Sequence, residues 1–298
     1  MTEPAADLPA AYAAARCGYG CMRIAGDAER GRAAVLAAWE AGYRLFDHAD
    51  IYAGGRCEEL FGSILRDIPD MREQIVLQSK IGIRFREGDA PGRYDFSREH
   101  LQHALEGSLR RLGVERLDVL LLHRIDLLAD PRVVGELVAD WHARGLIGAF
   151  GVSNASPSQL RMLQAHCPLP LVANQIEINL DRIDAFSDGS LDQCLELGIS
   201  PQAWCPMARL GYRAWGGHAG PAQWRLVELE LDRQAERYGC DPTAIALAWL
   251  LRHPAGIVPL IGSCTAERIR AARQAEALTY EHTDWYRLLE ARNGRPVP

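Results

Sequence analysis

Short apolar segments alternate with helical patterns eight times along the chain, and this alternation restricts the fold more than any other feature. The apolar segments have the length and residue types of buried strands, and the segments between them have the apolar spacing and end signals of amphipathic helices. The predicted strands cover residues 16–22, 43–47, 75–79, 117–122, 147–152, 171–174, 199–204 and 256–261. Strands that alternate with helices in this way form parallel β-α-β units, so we expect an α/β fold.

Eight such units predict a closed (β/α)8 TIM barrel, formed as a single domain by residues 1–298. A length of 298 residues is common among one-domain barrels of this kind. A doubly wound open sheet is the alternative, but the segment 18–22, GYGCM, does not complete the GxGxxG pattern of dinucleotide-binding sheets. Residues 1–14, which contain two prolines and many alanines, are open to disorder.

Composition points to a small-molecule partner. The net charge is −6 and no cluster of Lys and Arg offsets it, which argues against nucleic acid and anionic membranes as partners. No stretch approaches the ~18 apolar residues of a membrane span, and no secretory signal is evident, so we expect a cytoplasmic protein. The eight cysteines show neither a CxxC pair nor metal-ligand spacing, which favours reduced thiols and no metal. The sequence does not indicate an oligomeric state.

Four ionisable residues lie at or just beyond the ends of three successive predicted strands. Asp47 ends the second strand and Tyr52 follows five positions later, while Lys80 and His123 directly follow the next two strands. Because the carboxyl ends of parallel strands meet at one rim of a barrel, we expect these side chains to converge there. A carboxylate at the edge of a core needs a cation or several donors, and Lys80 is the expected partner of Asp47.

The remaining strands also end mainly on polar side chains. Their exits are Met22, Ser153, Asn154, Gln175, Trp204, Gly262 and Ser263. Packing alone does not account for so polar a set, and catalytic groups of barrels come from several strand ends. The sequence therefore predicts one functional site at this rim.

The motifs that carry these residues resemble those of the aldo-keto reductases, in family order across residues 17–275. They are FDHADIY with Asp47 and Tyr52, LQSKIG with Lys80, DVLLLHR with His123, FGVSN with Ser153 and Asn154, NQIEIN with Gln175, AWCPM with Trp204, and PLIGSCTAERI with Gly262 and Arg268. The resemblance implies a (β/α)8 barrel, a nicotinamide cofactor bound without a Rossmann fold, and reduction of carbonyls to alcohols. His48 stands where most members have threonine, a variant similar to a bacterial branch of poorly characterised oxidoreductases.

The chemistry of carbonyl reduction suits the four residues. Hydride delivery leaves negative charge on the carbonyl oxygen, and a positioned acid must neutralise it. Tyr52 is the candidate acid, and a neighbouring Lys80 ammonium would stabilise its phenolate. Asp47 would hold Lys80 and keep it charged, and His123 would donate to the carbonyl oxygen.

Each residue alone also has an ordinary structural explanation. Tyr52 could be a loop aromatic, Asp47 a helix cap, Lys80 a surface lysine and His123 a satisfied strand-end histidine. Trp204 could be a buried aromatic at the barrel top. The functional interpretation depends on their joint occurrence in one order.

The resemblance also assigns the cofactor-binding residues. They are Met22, Ser153, Asn154, Gln175, Trp204, Gly262, Ser263 and Arg268. Arg268 would pair with or stack on an adenosine 2′-phosphate, so we expect NADPH in preference to NADH. Gly262 and Ala272 occupy places where the family often has lysine and a polar residue.

Two questions stay open in the sequence. A cofactor-binding redox sensor or regulatory subunit with little turnover is the alternative to a carbonyl reductase, and activity on a panel of aldehydes would distinguish them. The small-molecule carbonyl substrate is not readable either. The long segment 206–221 is predicted to be a loop that contributes to the substrate pocket, with Tyr212 and Trp215 as candidate contacts. Its arginines, Arg209 and Arg213, would allow an anionic or polar substrate, but we interpret them as exposed solubilising residues.

Overall fold

The computed structural model describes Leu8, residues 10–210 and residues 220–298. In these residues eight parallel strands form a closed barrel, in which the first strand pairs with both the second and the last. The strands are β1 Gly18–Gly20, β2 Leu45–Asp47, β3 Val76–Ile81, β4 Leu117–Leu122, β5 Ile147–Ser153, β6 Leu171–Glu177, β7 Ser200–Trp204 and β8 Val258–Ile261. Each lies within or beside a predicted strand, which confirms the TIM barrel and excludes the open sheet.

One short helix precedes the first strand, and the other helices follow the strands around the outside of the barrel. They are α1 Ala10–Ala14, α2 Ala28–Glu40, α3 Arg56–Asp67, α4 Asp70–Gln74, α5 Arg98–Leu112, α6 Pro131–Ala143, α7 Pro157–His166, α8 Ser190–Leu197, α9 Pro221–Tyr238, α10 Pro242–Leu251, α11 Ala266–Ala272 and α12 His282–Asn293. A short antiparallel hairpin, Ile83–Arg84 with Arg93–Tyr94, follows β3. None of the helices in the described residues has the length and hydropathy of a membrane span.

Local sequence signals fix where several helices begin. The side chains of Ser97, Asp130 and Asp241 accept hydrogen bonds from backbone N–H groups in the first turns of α5, α6 and α10. Ser156 and Gln159 form a reciprocal capping box at the start of α7. Because these caps satisfy donors that a helix leaves unpaired, each helix starts at a defined distance from the strand before it.

Side chains of the strands alternate between the interior of the barrel and the helices around it. The interior is aliphatic from the amino ends of the strands up to the level of Lys80, and its buried cluster consists of Leu45, Val76, Val119, Leu121, Ala149, Ala173, Val258 and Leu260. Leu8, Ala11 and Tyr12 pack against this cluster, so α1 closes that end of the barrel. The expectation of disorder for residues 1–14 is wrong for Ala10–Ala14, which form a helix. Apolar side chains of this helix contact the barrel interior and hold it in place.

Candidate active site

The four ionisable residues predicted at the rim meet around one ammonium group. Parallel pairing of β2 with β3 sets Asp47 opposite Gln78, so that Lys80 lies just above the carboxylate. Lys80 Nζ donates to Asp47 Oδ2 at 2.6 Å, to the His48 carbonyl at 2.7 Å and to Tyr52 Oη at 3.2 Å. The Lys80 and Asp47 side chains are only 1% and 3% exposed. Such a buried pair persists because every donor of the ammonium is satisfied.

Tyr52 begins a short turn, Tyr52–Gly55, five positions after Asp47. The turn includes Ala53 and Gly54 at positive φ. Since an ammonium can only donate, Tyr52 Oη accepts from Lys80 and keeps its own proton for another acceptor. Burial raises the pKa of Tyr52 to about 12, although Lys80 lowers it. The phenol is therefore protonated at neutral pH.

Lys80 stays charged in spite of its burial. Burial favours the neutral amine, but Asp47 and Tyr52 outweigh that effect and raise the pKa of Lys80 above its usual value. Asp47 is also held from below, since Oδ1 accepts from Gln78 Nε2 at 2.6 Å and from Gln175 Nε2 at 3.0 Å. The carboxylate thus has fixed partners on both oxygens.

His123 completes the group from the carboxyl end of β4. Its ring lies edge-on to Tyr52, with 5.9 Å between ring centroids and an angle of 86°. Burial, together with the positive charges of Lys80 and Arg124, holds the pKa of His123 well below its usual range. The ring is therefore neutral and carries one N–H, and Nδ1 is buried without a partner among the described residues.

A second set of polar side chains interlocks at the ends of β5, β6 and β7. Ser153 Oγ donates to the Gln175 carbonyl at 2.7 Å, and Asn154 Nδ2 donates to Ser153 Oγ at 2.8 Å. Trp204 Nε1 donates to Asn154 Oδ1 at 3.0 Å. Asn154 has a φ of 55°, a left-handed conformation that asparagine tolerates better than most residues. These contacts fix the indole ring at the rim.

Apart from Lys80, the residues of both sets line one cavity of about 520 Å³, whose walls also include Met22, Phe85 and Arg124. A groove of about 840 Å³ continues from it, and the two share Arg23, Met207 and Gly262. Ser263 and the exposed Arg268, which were predicted to bind a cofactor, also line this groove. The predicted cofactor residues therefore follow one continuous depression that leads to Tyr52.

Several residues of this depression were not predicted. Arg23 and Arg30 line the groove, and Arg30 donates to the Cys264 carbonyl at 3.1 Å and to Thr265 Oγ1 at 3.3 Å. The sequence could have indicated both arginines, because they lie in the connection after the first strand and in the helix that follows it, beside the rim. Gln78, beneath Asp47, was also missed although it precedes Lys80 by two positions and so shares its inward face.

The loop prediction is tested only in part. Arg209, which we interpreted as an exposed arginine, is partly buried: it donates to Asp181 Oδ2 at 3.0 Å and lies over the Trp224 ring. Its neighbours Tyr212, Arg213 and Trp215 lie outside the described residues. Within the described part of the chain no group of three or more His, Cys, Asp and Glu residues could hold a metal ion.

Known proteins resemble the chain in both sequence and fold. The profile of the aldo/keto reductase family matches residues 16–293. A 6-dehydroglucose reductase of Agrobacterium fabrum is 36% identical over 287 residues, which cover 94% of each chain. The oxidoreductase YdhF of Escherichia coli is 36% identical over 262 residues, covering 87% of this chain and 86% of YdhF. An aldo/keto reductase of Klebsiella pneumoniae, solved with NADP and acetate, is 24% identical with a TM-score of 0.75 over 95% of this chain and 92% of that one, and supports the fold alone.

Proposed function

Because this chain belongs to the aldo/keto reductase family, we propose that it reduces the carbonyl group of an aldehyde or ketone to an alcohol with NADPH. The observation that carries the proposal is the position of Tyr52. Its hydroxyl accepts from Lys80 at 3.2 Å, keeps its own proton and lines the cavity. A phenol in this position is a proton donor for a carbonyl oxygen.

The chain's own residues perform the proton chemistry. A carbonyl oxygen beside Tyr52 and His123 accepts hydrogen bonds from the phenol and from the N–H of the neutral imidazole. As negative charge develops on that oxygen, the Tyr52 proton moves to it, and the adjacent Lys80 ammonium stabilises the phenolate. Asp47 keeps Lys80 charged and fixed, so the site needs no rearrangement when the proton moves.

The depression suits a nicotinamide dinucleotide. NADPH, when bound, supplies the hydride. The uncharged groups of Ser153, Asn154 and Gln175 near the cavity provide donors and acceptors for a carboxamide, and the fixed indole of Trp204 provides a stacking face. Arg268 and other cations along the groove are suited to phosphate. NADP is also the nucleotide with which the Klebsiella protein of the same fold was solved.

Replacing Tyr52 by phenylalanine tests the proton donor. Tyr52→Phe should lower kcat for NADPH-dependent aldehyde reduction by about 10² to 10⁴, since general acid catalysis is removed. The dissociation constant of NADPH should change little. Tyr286→Phe, at a half-exposed tyrosine of α12, is the matched control. A Tyr52→Phe enzyme with wild-type turnover would refute the assignment.

The cofactor preference is tested at the far end of the groove. Arg268→Ala should weaken NADPH about tenfold and NADH less than about twofold, because only NADPH carries the 2′-phosphate. Arg270→Ala is a control on the same helix, since Arg270 does not line the groove. Equal losses for the two cofactors would remove Arg268 from the phosphate site.

A further inference from the structure

Arg124 is a charged residue of the catalytic cavity that the reaction described above does not use. It directly follows His123, is half-buried and lines the cavity together with Tyr52 and Trp204. Its guanidinium lies over the Trp204 ring, 5.8 Å from the ring centroid. It does not line the groove that suits the cofactor phosphates.

No described residue neutralises this guanidinium by a hydrogen bond or an ion pair. Other half-buried arginines have such partners, as in the pairs of Arg72 with Asp118 at 2.9 Å and of Arg111 with Glu58 at 2.7 Å. Asp47 is the only acid among the described residues that line the cavity, and it is engaged by Lys80. Among the described residues of the site, none therefore balances the positive charge of Arg124.

Glu177, an acid outside the cavity, interacts electrostatically with Arg124. Burial raises the pKa of Glu177, and Asn179 and Arg182 oppose this more strongly than Arg124 does. Glu177 forms no ion pair with Arg124, and its Oε1 accepts from Asn179 Nδ2 at 3.5 Å. Glu177 thus has nearer partners, and the Arg124 guanidinium remains available to a ligand.

A half-buried cation beside apolar walls is costly without a counterion and binds an incoming anion strongly. The guanidinium presents parallel N–H groups that match the oxygens of a carboxylate or another oxyacid. We propose that Arg124 recognises an anionic group on the substrate, so that the enzyme favours aldehydes or ketones that carry a carboxylate or a similar oxyacid group. This inference rests on the proposed carbonyl reduction and adds a substrate class to it.

Matched substrate pairs isolate the charge. Glyoxylate, succinic semialdehyde and 4-formylbenzoate place a carboxylate at increasing distances from the carbonyl, and their methyl esters are neutral partners. At least one acid should be reduced with a kcat/KM about tenfold or more above that of its ester, as expected for a charge-assisted contact. Arg124→Gln should lower kcat/KM for that acid about 10- to 100-fold and for its ester less than about threefold.

Two further variants separate charge from structure. Arg124→Lys keeps the charge and should retain part of the preference for the acid, whereas Arg124→Gln should not. Arg161→Gln, at an exposed arginine of α7, should change neither rate. If Arg124→Gln lowers the rates for acid and ester equally, or if the wild type prefers no acid over its ester, the anion site is overturned.

A binding measurement tests the anion site independently of the proposed reductase activity. Isothermal titration of the protein with NADP⁺ present compares the corresponding product alcohols, each as carboxylate and as methyl ester. Tighter binding of a carboxylate that Arg124→Gln abolishes would support the anion site even if no aldehyde were reduced, a result that would refute only the reductase. Reduction of acids and esters at equal rates, with equal binding, would leave the reductase intact and refute the anion site.

Discussion

The two ends of the barrel interior differ in polarity, although the same eight strands form both. At the amino ends, aliphatic side chains fill the interior and α1 covers them. At the carboxyl ends, the interior holds the buried ion pair of Asp47 and Lys80, which adjoins an open cavity. Within the barrel interior, the buried ion pair therefore lies beside the cavity and its hydrogen-bond donors. A layer of polar side chains must separate this pair from the aliphatic end.

Three glutamine side chains form that layer. Gln78 and Gln202 exchange hydrogen bonds of 2.8 and 2.9 Å, and Gln175 Nε2 donates to Gln202 Oε1 at 3.0 Å. Above them, Gln78 and Gln175 donate to Asp47. Below them, Gln202 Nε2 donates to Tyr12 Oη at 3.3 Å. A hydrogen-bonded path therefore runs from α1 to the Asp47 carboxylate.

The largest effect is expected when the cation of the buried ion pair at the open end is removed. Lys80→Met should lower turnover about a thousandfold and destabilise the fold by about 3 to 5 kcal/mol, because it leaves Asp47 buried without its cation. Aldehyde-dependent NADPH oxidation and urea unfolding measure the two effects. The double variant Asp47→Asn with Lys80→Met should recover most of the stability and none of the activity. A single variant as stable as the wild type would contradict this account of the pair.

The next largest effect is expected in the glutamine layer. Gln78→Met removes a 2.6 Å donor from Asp47 and both reciprocal bonds to Gln202, so it should cost about 3 kcal/mol of stability. Asp47 would then hold Lys80 less firmly, and kcat should fall several-fold while the affinity for NADPH stays unchanged. Gln78→Glu is the informative companion, since a second acid beside Asp47 should be worse than the neutral methionine. If Gln78→Met leaves both stability and kcat at wild-type values, the layer does not support the site.

The third variant replaces a buried polar side chain near the open end that faces α3 and not the barrel interior. His48 is fully buried against Phe61, and neither ring nitrogen has a partner among the described residues. Burial, with a smaller effect of Lys80, lowers the pKa of His48 to about 3. The unfolded chain binds this proton near pH 6.5 and the folded chain does not, so stability is lost as the pH falls below that value.

His48→Leu should remove this acid sensitivity. The variant should gain up to about 2 kcal/mol relative to the wild type at pH 5, and much less of this pH-dependent gain should remain at pH 8. Denaturant unfolding at the two pH values measures the difference. A gain that is the same at both values would show that packing, and not protonation, is responsible.

The residues at the open end of the barrel could be predicted from the sequence, whereas most contacts at the closed end could not. The strand ends at Asp47, Lys80 and His123 were predicted because an ionisable residue that terminates an apolar run is a local signal. Gln78 carried a signal too, since it lies two positions before Lys80 on the same strand face. The partner of Tyr12 is Val172, 160 positions away, so no local pattern could place it. That no described residue forms an ion pair with Arg124 is likewise a property of the assembled cavity.

Tyr12 is where the closed end meets the glutamine layer, and the smallest effect is expected there. Its hydroxyl donates to the Val172 carbonyl and accepts from Gln202, both at 3.3 Å. Tyr12→Phe keeps the ring that covers the aliphatic cluster and should cost about 1 kcal/mol of stability without a change in kcat. Tyr12→Ala, which also uncovers the cluster, should cost more. A several-fold loss of kcat in Tyr12→Phe would show that the path from α1 to Asp47 tunes the chemistry, and the two ends of the barrel would then not be functionally separate.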